Sequence, residues 1–220
     1  MNAETRYSEN RFHPGRVWAE MKNLVIDLKY GESLLGTVRS TKQGHTFPSN
    51  SDYAVIVWLV RSIENEVGAD DVIVDVGCGK GRALNGFHYY FNQCRNRNIR
   101  LIGIEYEQQL AAQTKQRLAE VAGVEVVNAD ATEFLPPDAK FVYMFNPFSS
   151  PEIFSGFIGN FIRTAEASGS SARLLYYCPR MIDHFAGDER FRVDIITNSK
   201  LVPWKVDDLY RTAAVISFAD

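Results

Sequence analysis

The chain is poor in cysteine, in long apolar runs and in net charge, and each scarcity removes a class of protein. Cys78, Cys94 and Cys178 are the only cysteines in 220 residues, and they are widely spaced. An odd, scattered set builds no disulfide framework and favours a reducing, intracellular setting. The longest apolar run, Tyr53–Val60 (YAVIVWLV), falls far short of the ~20 residues that cross a bilayer. The polar start MNAETRYSENRFHPG lacks the apolar centre of a signal peptide. A cytoplasmic chain without a membrane partner is the expectation. A net charge of −3 and a sequence pI near 5.9 give no global field that gathers nucleic acid or anionic lipid. His13, His45, His88 and His184 have no paired spacing, so no metal is expected. Repeats and low-complexity tracts are missing as well.

What is present is an ordinary globular composition, 45% hydrophobic and 23% charged, in a length that suits one α/β domain. Residues 1–50 read as an appendage: seven Lys and Arg against five Asp and Glu, a helix around Arg16–Leu28, then turn-rich KYGESLLG and KQGHTFPSNS. A helix follows from Ser51 or Asp52 as N-cap to a close at Gly68. Strands and helices then alternate. DVIVDVG, RLIGIEY, VEVVNAD, AKFVYMFNPF and ARLLYYCP read as strands, the first as one buried on both faces. Between them lie GRALNGFHYYFNQC, EQQLAAQTKQRLAEVAG and PEIFSGFIGNFIRTAEAS, the last with Pro151 in its first turn. The tail offers two more strands. This order predicts an α/β fold: a doubly wound, mostly parallel seven-stranded sheet with helices on both faces and an antiparallel C-terminal strand pair. The core domain is residues 51–220.

The stretch VIVDVGCGKGRAL places Gly77, Gly79 and Gly81 directly after the first core strand. In an open parallel sheet ligands sit beyond the carboxyl ends of strands, and glycine lets a ligand approach the backbone. A dinucleotide fingerprint is G-x-G-x-x-G, with a pyrophosphate on the helix N-terminus. Here the spacing is G-x-G-x-G, and Asp75 two residues ahead repels a pyrophosphate but suits a cationic amino-acid end. A tight turn without a ligand is the plain alternative.

DVGCGKG resembles the first motif of class I S-adenosylmethionine-dependent methyltransferases, D/E-x-G-x-G-x-G. The resemblance implies a Rossmann-like fold with Asp75, Gly77, Cys78, Gly79 and Gly81 around the methionine end of S-adenosylmethionine. Glu105, 24 residues after Gly81, closes the second strand, where the family carries an acid that grips the ribose; Tyr106 is grouped with it. Asp130 and Ala131 follow the third strand, where the family reads adenine; an N-cap or Asx turn is the compatible local role.

The fourth strand ends in Asn146-Pro147-Phe148, which resembles the N-P-P-Y/F motif of methyltransferases acting on amino groups but lacks its second proline. It is also similar to the Asn-containing motif of the non-SET lysine methyltransferases, and KYGESLLG weakly resembles a loop that covers the cofactor there. These likenesses imply Asn146, Pro147 and Phe148 as catalytic residues, with Asn146 also facing the cofactor. They imply Tyr30, Glu32 and Thr46 as lid residues. Tyr176, Tyr177 and Trp204 are candidate walls of the acceptor pocket. The expected activity is methyl transfer to a nitrogen or other nucleophile, on a small molecule or protein side chain in preference to nucleic acid. A non-catalytic protein that binds S-adenosylmethionine and an altered nicotinamide-dependent oxidoreductase are the competing readings. The acceptor and the oligomeric state are not legible.

Overall fold

A computed structural model describes residues 13–34, 50–169 and 172–219. Seven strands form one sheet in the order β3-β2-β1-β4-β5-β7-β6. They are β1 (Val72–Val76), β2 (Arg100–Glu105), β3 (Val124–Asn128), β4 (Ala139–Met144), β5 (Arg173–Tyr177), β6 (Phe191–Thr197) and β7 (Thr212–Phe218). β3 through β5 are parallel, and β7 pairs antiparallel with both β5 and β6. The expected mostly parallel sheet with an antiparallel C-terminal pair is the one found. β1 is central and wholly buried, as its β-branched run requires. The chain leaves it on one side for β2 and β3, then returns to its other side with β4, which makes the β1–β4 seam the switch point of the sheet.

Helices α2 (Tyr53–Ile63), α3 (Arg82–Phe87) and α4 (Gln108–Leu118) cover one face of the sheet, and α5 (Pro151–Ser168) covers the other. α5 opens on Ser150, whose hydroxyl accepts from the Ile153 amide, has Pro151 in its first turn, and ends at Gly169 with φ +60°. It buries Phe154, Phe157, Ile158, Phe161, Ile162 and Ala165, a single helical stripe, against the sheet.

The helices differ from the sequence-based reading in extent at α2 and at α4, which ends at Leu118 instead of Gly123, and in type at α3. α2 stops at Ile63 instead of Gly68, because the Arg97 guanidinium donates to the Glu64 and Val67 carbonyls beyond its end and Gly68 turns into β1. α3 runs on into a π-helical stretch, His88–Cys94, whose wider turn buries His88, Tyr90 and Phe91.

Ahead of this core lies α1 (Pro14–Lys29), capped by His13, whose Nδ1 accepts from the Gly15 amide. Its buried residues are polar, Asn23 and Asp27, while Trp18, Met21, Val25 and Leu28 are exposed. α1 therefore docks largely through hydrogen bonds, with partly buried Ala19 and Ile26 packed on the core beside them. Asn23 meets Asp52 and the Tyr53 amide, and Asp27 meets Tyr53 and Arg82. Asp52 is the N-cap of α2, with its carboxylate engaged by Asn23 instead of by its own helix.

Candidate active site

The glycine loop is shaped by three residues in the left-handed region, Gly77 (φ +72°), Gly79 (+52°) and Gly81 (+74°). The amides of Gly77 and Cys78 both donate to the Ile104 carbonyl of β2. A Cβ on Gly77 would lie 2.8 Å from the Pro147 Cβ, so the loop and the end of β4 are in direct contact at the switch point. The Gly79 amide donates to Glu105 Oε2 over 2.8 Å, and Oε1 accepts from the Glu107 amide over 2.9 Å. From α4, Thr114 Oγ1 donates to the Gly79 carbonyl and Arg117 Nη2 to that of Lys80. Cys78 packs over Gly103, where a Cβ would meet its Sγ at 2.7 Å, and burial raises its thiol pKa well above the usual range.

Asp75 is the odd group in this site. It is buried, and its Oδ2 has no hydrogen-bond partner among the described residues. Burial, and then the neighbouring Glu105 carboxylate, push its pKa up to about 8. An orphaned carboxylate oxygen beside a glycine cradle and a second acid fits a cationic group such as the amino-acid end of S-adenosylmethionine. Each Glu105 oxygen carries two acceptor positions, so the bonds to Gly79 and Glu107 leave the carboxylate competent for ribose hydroxyls. Asn128 holds this strand end by donating to the Glu105 and Tyr106 carbonyls. Asp130 makes the local turn, its Oδ1 accepting from the Thr132 amide and hydroxyl, and the Ala131 carbonyl is tied to Asn160 of α5.

On the β4 side, Asn146 is buried with φ +44°. Its Nδ2 donates to the Cys178 carbonyl over 2.6 Å and its Oδ1 accepts from the Tyr176 hydroxyl over 2.8 Å. Cys178 has φ +53°, so two non-glycine residues in the left-handed region are bonded to each other at the ends of adjacent strands. Phe148, the third of the residues implied as catalytic, turns into the core beneath α5. Its ring is 5% exposed and packs on Phe157 and Phe154 at centroid distances of 5.3 and 6.1 Å. Tyr176 and Tyr177 alternate across β5. Tyr176 reaches Asn146, whereas Tyr177 lies on the opposite face against half-buried Phe145, its hydroxyl on the Tyr210 carbonyl. Trp204 is buried on that same face, near His13. The three do not form one wall.

Of the lid candidates, Tyr30 is buried, with its hydroxyl 2.8 Å from His88 Nδ1, and Glu32 faces Arg117 Nε at 3.6 Å. Thr46 lies outside the described residues. Sequence reasoning missed Asp27, Arg82 and Arg117, none of which belongs to a motif; Arg82, directly after the last glycine, is the one visible hint. The basic loop CRNRNIR is ion-paired through Arg95–Glu64 and Arg100–Asp138.

A doubly wound sheet with a glycine loop at its switch point places the chain among the α/β proteins that bind nucleotide cofactors. Residues 73–167, which hold the loop, both strand-end acids and Asn146, match the family model of a methyltransferase domain. The chain carries a class I methyltransferase domain, whose cofactor is S-adenosylmethionine. The nicotinamide alternative is thereby set aside.

No protein of curated function matches the sequence. Among solved structures, a Pyrococcus horikoshii protein provisionally described as an RNA methyltransferase is 18% identical, with a TM-score of 0.55 over 91% of this chain and 98% of that one. TrmN of Thermus thermophilus is 12% identical with a TM-score of 0.52 over 77% of this chain, which spans 49% of TrmN. The 23S rRNA methyltransferase ErmE is 16% identical, with a TM-score of 0.51 over 76% and 68% of the two chains. These likenesses share the fold. They also correct the expectation that ranked a small molecule or protein acceptor above nucleic acid. The low overall charge behind that ranking does not separate this chain from a fold that RNA methyltransferases use. Among the described residues no helix is long and apolar enough to cross a membrane.

Proposed function

We propose that the chain transfers the methyl group of S-adenosylmethionine to a nitrogen atom, with Asn146 and the backbone at Pro147 binding the acceptor. The observation that carries this reading is the Asn146 amide, anchored at both ends and set beside the glycine loop through Pro147. When bound, the cofactor supplies a methyl group on a cationic sulfur. Asp75 and the glycine loop would hold its amino-acid end, Glu105 and Tyr106 its ribose side, and Asp130 with Ala131 its adenine.

Displacement at carbon demands alignment of the attacking lone pair. The Tyr176 and Cys178 bonds fix which end of the Asn146 amide is oxygen. Oδ1 and the Asn146 carbonyl before Pro147 are the acceptors assigned to an amine N–H. The amide takes no proton; it directs the nitrogen. Structures of this fold described as RNA methyltransferases make RNA the first acceptor to test.

Labelled S-adenosylmethionine offered to RNA, protein and small-molecule fractions tests the reaction. Asn146→Ala should abolish transfer and leave the affinity for S-adenosylhomocysteine nearly intact. Loss of that affinity contradicts the role given to Asn146, and cofactor binding without transfer to any fraction favours the non-catalytic reading.

A further inference from the structure

Arg117 is one helical turn beyond Thr114 on α4, and its side chain is only 9% exposed. Its guanidinium fork reaches two separate parts of the chain. Nη2 donates to the Lys80 carbonyl inside the glycine loop over 2.5 Å. Nη1 donates to the Tyr30 carbonyl, in the turn that leaves α1, over 2.9 Å, while Nε faces the Glu32 carboxylate. A rigid planar fork does not follow one of these partners without disturbing the others. The far end of the loop has a parallel tie. Arg82, the residue after Gly81, donates from Nε and Nη2 to the Asp27 carboxylate, which also accepts from the Leu34 amide. Both Lys80 and Arg82 are thus fastened to the segment Asp27–Leu34.

We propose that Arg117 is a positioning residue for the glycine loop and couples it to the turn at Tyr30–Leu34, so that cofactor binding and docking of that turn strengthen each other. The inference rests on the cofactor reading of the loop. A merely structural staple would hold the turn equally with or without cofactor. Coupling is reciprocal: if the docked turn raises affinity, the cofactor must tighten the turn by the same factor.

The test uses the full chain with S-adenosylhomocysteine as probe. Hydrogen exchange of the Tyr30, Gly31 and Leu34 amides is followed with and without it, and affinity is measured by calorimetry for the wild type, Arg117→Met and Arg117→Lys. We expect the probe to slow exchange at these amides in the wild type. Arg117→Met should weaken binding about tenfold and abolish the slowing, and Arg117→Lys should restore part of both. Wild-type binding with no change in exchange at these amides overturns the coupling while leaving the cofactor reading intact, and this measurement needs no variant. Unchanged affinity in a folded Arg117→Met chain overturns it too. A wild-type chain that does not bind the probe overturns the cofactor reading and the coupling with it.

Discussion

The Tyr176 hydroxyl donates to Asn146 Oδ1 over 2.8 Å and at the same time accepts from the Met181 amide over 3.1 Å. The phenol is therefore fixed as a donor toward Asn146, and burial pushes its pKa up to about 12, so the proton stays in place. Tyr176→Phe should cost about 1 kcal/mol of stability, typical of a lost buried hydrogen bond, measured by urea unfolding. It should lower methyl transfer by roughly 10-fold or more while S-adenosylhomocysteine binds as before. Equal loss of binding and transfer would show that Tyr176 serves the fold alone.

Gly77 is constrained twice, by φ +72° and by the 2.8 Å approach that a Cβ would make to Pro147. Gly77→Ala should destabilise the chain by about 1–3 kcal/mol and abolish binding of S-adenosylhomocysteine. Gly169 has φ +60° but, among the described residues, nothing within 4 Å of where an added methyl would sit, so Gly169→Ala should cost only about 1 kcal/mol and leave binding unchanged. Calorimetry and thermal melts of the pair separate crowding from backbone strain.

Asp75 gives the ligand-free chain a definite pH dependence. Its folded pKa is raised to about 8, above the ~3.9 of an unfolded aspartate, so the folded state holds the extra proton between those values. Its contribution to stability is fully present below about pH 4 and is lost as pH rises toward about 8. Asp75→Asn should flatten this decline and raise the melting temperature near the upper end of the window, while weakening S-adenosylhomocysteine binding. If the ligand's amino group meets the carboxylate, binding near neutral pH releases the Asp75 proton. The calorimetric enthalpy should then vary with the ionisation heat of the buffer in the wild type and not in the variant.

The Asp27–Arg82 pair is almost wholly buried, with side chains 0% and 6% exposed. Asp27→Ala leaves the guanidinium without its counter-charge and should cost about 3–5 kcal/mol in urea unfolding. Asp27→Asn should fall between that variant and the wild type. A small effect for Asp27→Ala would mean that Arg82 finds another partner or reaches water.

The parts of this site legible in the sequence are those written within a few residues. The glycine loop after β1, Glu105 at the end of β2 and Asp130 after β3 follow from short β-branched strands that end in the residues a loop needs. The Asp27–Arg82 and Arg117–Tyr30 ties join residues far apart in the chain, and helical Asp and Arg look like any solvated pair until the helices are docked. α1 shows the difficulty most plainly: its apolar residues predict an inward face, yet its polar Asn23 and Asp27 are the buried ones. The π-helical turn at His88–Cys94 has no local signature either. The position of Phe148 directly after Asn146-Pro147 predicts an acceptor contact, but α5 offers Phe154 and Phe157 as partners and the ring goes there.

The central place of β1 bears on how the protein folds. Val72 pairs with Arg100 on one side and with Ala139 on the other, and the second pairing closes a much longer loop of chain. Parallel strands so distant in sequence pair slowly, because loop-closure entropy is lost before their contacts are gained. The glycine loop and Pro147 meet on that late seam. Cofactor binding during refolding should therefore recover only with the complete sheet, well after α4 and the β1–β2 pair have formed.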